Sequence, residues 1–113
     1  MKIFPFDKVP AQEYAGMQGV TIRWVLGANV DAPTAYMRVI EVEPGHATGY
    51  HEHHWEHQAF VLKGQGAVRQ GEERTPIYEG TCVYVKPNEI HQFINTGDSV
   101  LRFICVIPKP EDE

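Results

Sequence analysis

The sequence is poor in the features that mark secreted, membrane-spanning or nucleic-acid-binding proteins. It has two cysteines, Cys82 and Cys105, both inside apolar runs, and we expect buried thiols rather than a disulfide. The longest apolar runs, residues 60–62 and 103–107, are too short to cross a bilayer, so no membrane partner is expected. No apolar signal-peptide core follows Met1, which favours a cytoplasmic location. The absence of a basic run and the net charge of −5 argue against a nucleic-acid partner.

A sustained helical apolar period is also missing, and the chain breaks instead into short β-like runs. The 10 glycines and 8 prolines supply turn signals between them. The runs cover residues 20–26, 35–43, 57–63, 67–70, 81–85, 91–95 and 100–107. Such spacing predicts an all-β sandwich or barrel. We divide the single domain into an N-terminal arm or edge strand (1–19), a barrel (20–108) and a C-terminal tail (109–113).

Histidine is abundant, and four of the six histidines lie within seven residues. His51 and His53 are two apart, so on an extended strand their rings point to the same face. A turn through Trp55 would bring His57 to the start of the next strand, where three imidazole nitrogens could converge at about 2.0–2.2 Å from one metal ion. His91 begins a later strand, after a Pro-Asn turn.

These histidines resemble the motifs of the cupin family. The first cupin motif, G-x5-H-x-H-x3,4-E-x6-G, is matched in every spacing by Gly45, His51, His53, His57 and Gly64. The one departure is His57, which stands where the family usually has Glu.

The second cupin motif, G-x5-P-x-G-x2-H-x3-N, is matched by Gly80, His91 and Asn95. Lys86 stands at the Pro position with Pro87 one residue later. Asn88 replaces the second Gly, and Asn tolerates the left-handed conformation that Gly supplies.

The resemblance implies a small single-domain conserved-barrel (cupin 2 type) protein whose fold is the double-stranded β-helix, or jelly-roll barrel. It also implies that one divalent transition metal (Mn, Fe, Zn, Ni or Cu) is held by His51, His53, His57 and His91. Glu56 is the alternative to His57 if the turn shifts by one residue, or else an acceptor for a proton of a ligating imidazole. His46 and His54 match no ligand position.

Four neutral imidazoles would leave the ion its full +2 charge, which favours Lewis-acid chemistry and an anionic substrate. An octahedral ion would keep two open positions for substrate, water or O₂. Because binding needs unprotonated rings, we expect metal affinity to fall as the pH drops through about 6.5.

Strand parity gives the candidate pocket. Inward-facing Tyr36 and Arg38 are candidate catalytic residues together with Glu56, and Arg38 could instead bind a substrate carboxylate or form a salt bridge with a glutamate at the barrel end. Phe93 and Phe103 are predicted to line the substrate pocket with Arg38. Tyr84 is a further candidate proton carrier; Trp24 and Trp55 are expected in packing or in a pocket wall. Asn95 is expected to stabilise a turn.

The sequence therefore predicts a metal-dependent enzyme acting on a small organic acid, phenolic or sugar-derived substrate. The reaction would be an oxygenation or a Lewis-acid isomerisation, decarboxylation or elimination. The alternative is a non-catalytic sensor or carrier of a metal or a small ligand. An outward apolar set would be covered by the N-terminal arm or by a partner, and a homodimer is expected. That set is Phe60, Leu62, Val100, Ile104 and Val106.

Overall fold

Strands dominate the computed structural model, which describes residues 1–111. Two single-turn 3-10 helices, Phe6–Lys8 and Ala28–Val30, are the only helices in that range. The nine strands are β1 (Gln12–Glu13), β2 (Val20–Leu26), β3 (Ala35–Val42), β4 (His57–Lys63), β5 (Gln65–Gln70), β6 (Glu73–Tyr78), β7 (Cys82–Val85), β8 (Gln92–Asn95) and β9 (Leu101–Pro108). Neither helix is long and apolar enough to cross a membrane. The all-β class predicted from the turn spacing is confirmed.

Two antiparallel sheets enclose the core. The larger sheet has the order β1-β2-β3-β9-β4-β7, and the smaller one has the order β6-β5-β8. Strand β9 is central because it pairs with β3 on one side and with β4 on the other. In this register Cys105 lies opposite Arg38 on β3 and Ala59 on β4, which places the middle of β9 between these two strands near the start of β4.

The inward faces follow the predicted alternation. Every second residue of β9 is buried, from Leu101 to Ile107, and His57, Ala59 and Val61 are buried on β4. On β3 the predicted inward residues Tyr36, Arg38, Ile40 and Val42 are all buried. The hydrophobic effect therefore fixes the register that carries Arg38 and His57 into the same end of the barrel.

Two turns keep the left-handed backbone that the motif positions require. Gly64 has φ of +91°, and a Cβ there would lie 2.5 Å from the carbonyl oxygen of Val100. Asn88 has φ of +65°, as expected for a residue in the place of a glycine. Its N–H donates to the carbonyl oxygen of His53 at 2.6 Å, so this turn holds the histidine-bearing loop.

The N-terminal arm packs on the outer face of the larger sheet. The Phe6 ring lies under the guanidinium groups of Arg23 and Arg102, 5.2 and 4.7 Å from its centroid. Both arginines also bind Glu41, at 2.9 and 2.7 Å. Although burial raises the pKa of Glu41, hydrogen bonds from the two arginines bring it below its ordinary value. The arm thus covers part of the outward face, whereas Phe60 remains 44% exposed.

One buried-thiol prediction is wrong. Cys105 is buried, but Cys82 is exposed. Cys82 begins β7, which is the edge strand of the larger sheet, and it pairs there with the outward-facing Phe60. An apolar run on an edge strand need not be covered on both faces, and sequence alternation alone could not assign Cys82 to the outer one.

Candidate metal centre

The loop before β4 and the residue before β8 bring histidines from both cupin-like motifs together. His51 and His91 form an isolated antiparallel bridge, with N–O distances of 3.1 and 3.0 Å between their backbones. One ring nitrogen from each of His51, His53 and His91 lies within 4.8 Å of the other two. Three imidazoles at this spacing could bind a single ion.

The fourth predicted ligand, His57, lies outside that group of three but next to it. Its ring centroid is 4.9 Å from that of His53 and 5.1 Å from that of His91. His57 is the first residue of β4 and is 5% exposed. The structure therefore gathers four imidazoles at one end of the barrel, three of them in ligand-like proximity.

Unpartnered nitrogens indicate that these residues fit a metal. Nε2 of His53 and Nε2 of His57 are both buried without a hydrogen-bond partner among the described residues. Leaving such an atom unsatisfied costs about 1–3 kcal/mol, which a bound cation would offset. His91 donates from Nδ1 to the carbonyl oxygen of Glu89 at 2.8 Å, so its Nε2 keeps the lone pair that a ligand needs.

The tautomer of His57 depends on Cys105 and Arg38. Nδ1 of His57 lies 3.2 Å from the Cys105 sulfur and 3.4 Å from Nη2 of Arg38. Arg38 donates to the same sulfur at 2.8 Å, which is the shortest contact of the three. With the guanidinium engaged on sulfur, Nδ1–H of His57 can donate to Cys105, and the lone pair of Nε2 then faces the other histidines.

Burial keeps these rings neutral. Desolvation, followed by the nearby charges of Arg38 and the other histidines, lowers the pKa of His57 to about 3. Desolvation and the neighbouring histidines lower the pKa of His53 to about 4, and the pKa of His51 is lowered for the same reasons. Protons therefore compete for these rings at lower pH than the value of about 6.5 expected from the sequence. Burial raises the pKa of Cys105, and Arg38 opposes that rise.

Arg38 is a buried cation that has no anionic partner within residues 1–111. It is 3% exposed, yet no carboxylate of residues 1–111 contacts it, so the alternative of a salt bridge with glutamate is not observed. Its other contacts are the Tyr14 hydroxyl, to which Nη1 donates at 3.2 Å, and the Trp24 ring, 5.4 Å from its guanidinium carbon. Nε of Arg38 has no partner among the described residues. Such a group is poised to bind an anion.

A cavity of about 980 Å³ opens beside Arg38. Its walls include three aromatic side chains, Tyr14, Trp24 and Trp55, together with Glu56. Residues 107–111 and His54 also line it, and Nε2 of His54 lies 3.3 Å from a carboxylate oxygen of Glu111. The cavity thus lies between the histidine-bearing loop and the end of β9.

The remaining predicted site residues lie at varying distances from this cavity. Tyr36 is buried on β3, edge-on to Trp24 with ring centroids 6.1 Å apart. Phe93 and Phe103 stack in the core at 4.4 Å, and neither is among the described residues that line the cavity. Tyr84 is exposed, and its hydrogen bond to Glu56 raises its pKa. Roles for these residues in catalysis or in a substrate pocket stay predictions.

Sequence reasoning missed two residues of the site. Tyr14 lies in the predicted arm, and nothing in the neighbouring sequence signals that its hydroxyl reaches Arg38. The sequence predicts Cys105 only as a buried thiol on the core face, whereas its position opposite Arg38 follows from the pairing of β3 with β9. The wall formed by residues 107–111 carries no motif. Contacts between segments so far apart in the chain can be found only from the three-dimensional structure.

The chain is thus an all-β barrel with histidines clustered at one end, and known proteins share this arrangement of strands. The Cupin domain family matches residues 38–107, and the chain belongs to this family. The oxalate-binding protein of Thermotoga maritima is 30% identical over 69 residues, which span 60% of this chain and 57% of that relative. The similarity therefore covers little more than half of the relative's length.

Solved structures show the same fold. The polyketide cyclase RemF from Streptomyces resistomycificus superposes with a TM-score of 0.88 and 25% identity, covering 97% of this chain and 80% of RemF. A predicted oxalate decarboxylase from Thermotoga maritima superposes with a TM-score of 0.84 and 22% identity, covering 96% and 100% of the two chains. The predicted double-stranded β-helix is confirmed.

Proposed function

We propose that this chain is a metal-dependent cupin that binds a small organic anion beside a four-histidine centre and acts on it. The reaction would be an oxygenation or a Lewis-acid isomerisation, decarboxylation or elimination. The observation that carries the proposal is that two histidine nitrogens, Nε2 of His53 and Nε2 of His57, and one guanidinium nitrogen, Nε of Arg38, are buried without a hydrogen-bond partner among residues 1–111. The histidine nitrogens suit a cation, and the guanidinium suits the anion that this cation would act on.

His51, His53, His57 and His91 would hold one divalent transition metal. When bound, such an ion supplies a Lewis acid or a site for O₂, according to its identity. The ligand type alone does not choose among Mn, Fe, Zn, Ni and Cu. The orphaned Nε2 atoms of His53 and His57 support the four-histidine set over one that replaces His57 by Glu56.

Arg38 would bind the carboxylate of the substrate, and the Tyr14 hydroxyl would hold the guanidinium in place. Glu56 lines the cavity, as Glu111 does, and its carboxylate would take or give a proton there. The burial of Arg38 strengthens its attraction for an anion, because water screens the charge less inside the barrel.

A non-catalytic binding module is the second candidate. It is favoured by the position of two proposed proton carriers, Tyr36 and Tyr84, neither of which lines the cavity within residues 1–111. One relative is named an oxalate-binding protein. In this case Arg38 and the metal would hold a small acid without changing it.

The test reconstitutes the metal-free protein with each of the five metals in turn. Metal stoichiometry is measured for the wild type, His57→Ala and the matched control His54→Ala, whose side chain is exposed in the same loop. We expect one metal per chain in the wild type and in His54→Ala, with a reduced affinity in His57→Ala. Equal affinity in all three would remove His57 from the ligand set.

Loaded protein is then incubated with organic acids, phenols and sugar-derived acids while oxygen uptake and product formation are followed. Turnover that is lost in Arg38→Met, with metal content unchanged, supports the enzyme. Saturable binding without turnover supports the binding module. If neither binding nor turnover depends on Arg38, the anion site is wrong.

The assembly and location of the chain are also proposals. We expect a homodimer, since Phe60 remains exposed on the outer face of the larger sheet beside the arm. Light scattering of Phe60→Asp against the wild type tests this. The cytoplasmic location and the division into arm (1–19), barrel (20–108) and tail (109–113) stay predictions, and residues 112–113 of that tail lie outside the described range.

A further inference from the structure

Both tryptophans of the chain line the cavity beside Arg38. Trp24 lies against the guanidinium of Arg38 and edge-on to Tyr36. Trp55 stacks flat on the ring of His53, with centroids 4.6 Å apart and an interplanar angle of 8°. Tyr14 adds a third aromatic side chain to the lining among the described residues.

The unpartnered polar atoms beside these rings are hydrogen-bond donors. Nε1 of Trp55 is buried without a partner among the described residues, although a buried indole N–H normally finds one. Nε of Arg38 is likewise unpartnered. A ligand with hydrogen-bond acceptors would satisfy these two donors. The positive charge of Arg38 favours a ligand that is negatively charged.

The size and walls of the cavity then limit the body of the ligand. Its volume of about 980 Å³ is near the upper end of about 300–1,000 Å³ for cavities that bind small molecules. A two-carbon diacid would leave most of that space to water. Flat aromatic walls favour a flat ring, because offset-stacked or edge-on ring contacts add to the burial of its surface.

We propose that the cavity takes an aromatic carboxylate, with the carboxylate on Arg38 and the ring against Trp24 and Trp55. This inference rests on the anion site of the proposed function and names its ligand class. It does not depend on the metal, since neither Arg38 nor the two indoles belong to the proposed metal ligands.

Intrinsic fluorescence tests the inference directly, because no tryptophan lies elsewhere in the sequence. The full chain, metal-loaded and chelator-treated, is titrated with benzoate, cyclohexanecarboxylate, benzyl alcohol and oxalate, with calorimetry in parallel. Cyclohexanecarboxylate keeps the charge without the aromatic ring, and benzyl alcohol keeps the ring without the charge. We expect benzoate to change the tryptophan emission and to bind about three- to tenfold more tightly than cyclohexanecarboxylate. Benzyl alcohol and oxalate should bind more weakly than benzoate.

Two variants at one position separate the ring from the shape of the wall. Trp55→Leu should reduce the preference for benzoate over cyclohexanecarboxylate, and Trp55→Phe should retain part of it. The ligand series on the unaltered protein needs no variant, so a folding defect in Trp55→Leu leaves the test intact.

The outcomes also separate this inference from the proposed function. If benzoate and cyclohexanecarboxylate bind equally, or if oxalate binds best, the aromatic ligand class is refuted even where metal binds with full stoichiometry. If benzoate is preferred by a protein that takes up no metal, the ligand class stands and the metal-dependent function falls. Emission that does not respond to bound benzoate places the ligand elsewhere and overturns the inference.

Discussion

Acidification of the metal-free protein should reveal the buried, neutral state of His57. Its pKa is lowered from 6.5 to about 3, chiefly by desolvation. Below pH 6.5 the unfolded chain takes up a proton at this ring, whereas the folded chain does so only near pH 3. The free energy of unfolding must therefore fall as the pH falls through that window, because the unfolded state binds more protons.

The magnitude follows from the two pKa values. Between pH 7 and pH 5 the linkage at His57 alone removes about 2 kcal/mol from the free energy of unfolding. For a urea dependence of about 2 kcal/mol per molar, the unfolding midpoint should drop by about 1 M from this ring. The pKa values of His53 and His51 are also lowered, so these rings further decrease the free energy of unfolding as the pH falls.

The assay is urea unfolding of chelator-treated protein at pH 7 and pH 5, for the wild type, His57→Asn and His54→Asn. Asparagine does not titrate, so His57→Asn should lose about 2 kcal/mol less than the wild type over this interval. His54 is exposed, and its replacement should leave the wild-type dependence intact. The reasoning is refuted if His57→Asn and the wild type lose the same free energy between the two pH values.

Three further substitutions test the orientation of the His57 ring, the hydrogen bonds of Asn95 and the turn at Gly64. Cys105→Ala removes the acceptor for Nδ1–H of His57 and should weaken metal binding, measured by calorimetry, about tenfold. Cys105→Ser should retain most of the metal affinity. Equal metal affinities of the wild type and Cys105→Ala would show that the sulfur does not orient the ring. Asn95→Ala removes three hydrogen bonds of a buried amide and should lower the free energy of unfolding by about 2–3 kcal/mol, with metal binding unchanged. A decrease below about 0.5 kcal/mol in urea unfolding would contradict this prediction. Gly64→Ala should destabilise the fold by at least about 1 kcal/mol more than the matched control Gly71→Ala. Both residues have positive φ, but only a Cβ at position 64 would collide with backbone atoms. Equal losses of unfolding free energy in the two variants would refute the steric argument.

Alternation along the strands made much of the fold predictable. The bounds of β2 and β4, Val20–Leu26 and His57–Lys63, were predicted as they are found, because both runs are rich in β-branched or alternating apolar residues and end at a glycine. Strand β6, Glu73–Tyr78, was missed. Its residues are exposed apart from Ile77, and it contains Pro76 at a sheet edge, so neither hydrophobic alternation nor β-propensity marks it.

Only the part of the candidate site that is defined by the spacing of its histidines could be predicted from the sequence. Fixed offsets predicted His51, His53, His57 and His91 as one group, and the barrel brings their rings together because two strand starts and one loop meet at its end. Their role as a ligand set stays a prediction. The cavity was not predictable. Its walls join the arm, the start of β4 and residues 107–111, and no local pattern records that these segments meet.

The core pairing of Arg38 and Cys105 shows the same limit. Strand parity correctly predicted that both side chains face inward. It gave no reason to expect the Arg38 guanidinium 2.8 Å from a thiol sulfur, with no carboxylate of the described part of the chain in contact with it. That contact depends on the register between β3 and β9, which is set by packing along both strands.

The metal content of the untagged protein, measured per chain by mass spectrometry as purified and after reconstitution, tests the proposed metal centre. We expect about one equivalent of a divalent transition metal, with reduced occupancy in His57→Ala. Negligible metal in both preparations would rule out the four-histidine centre.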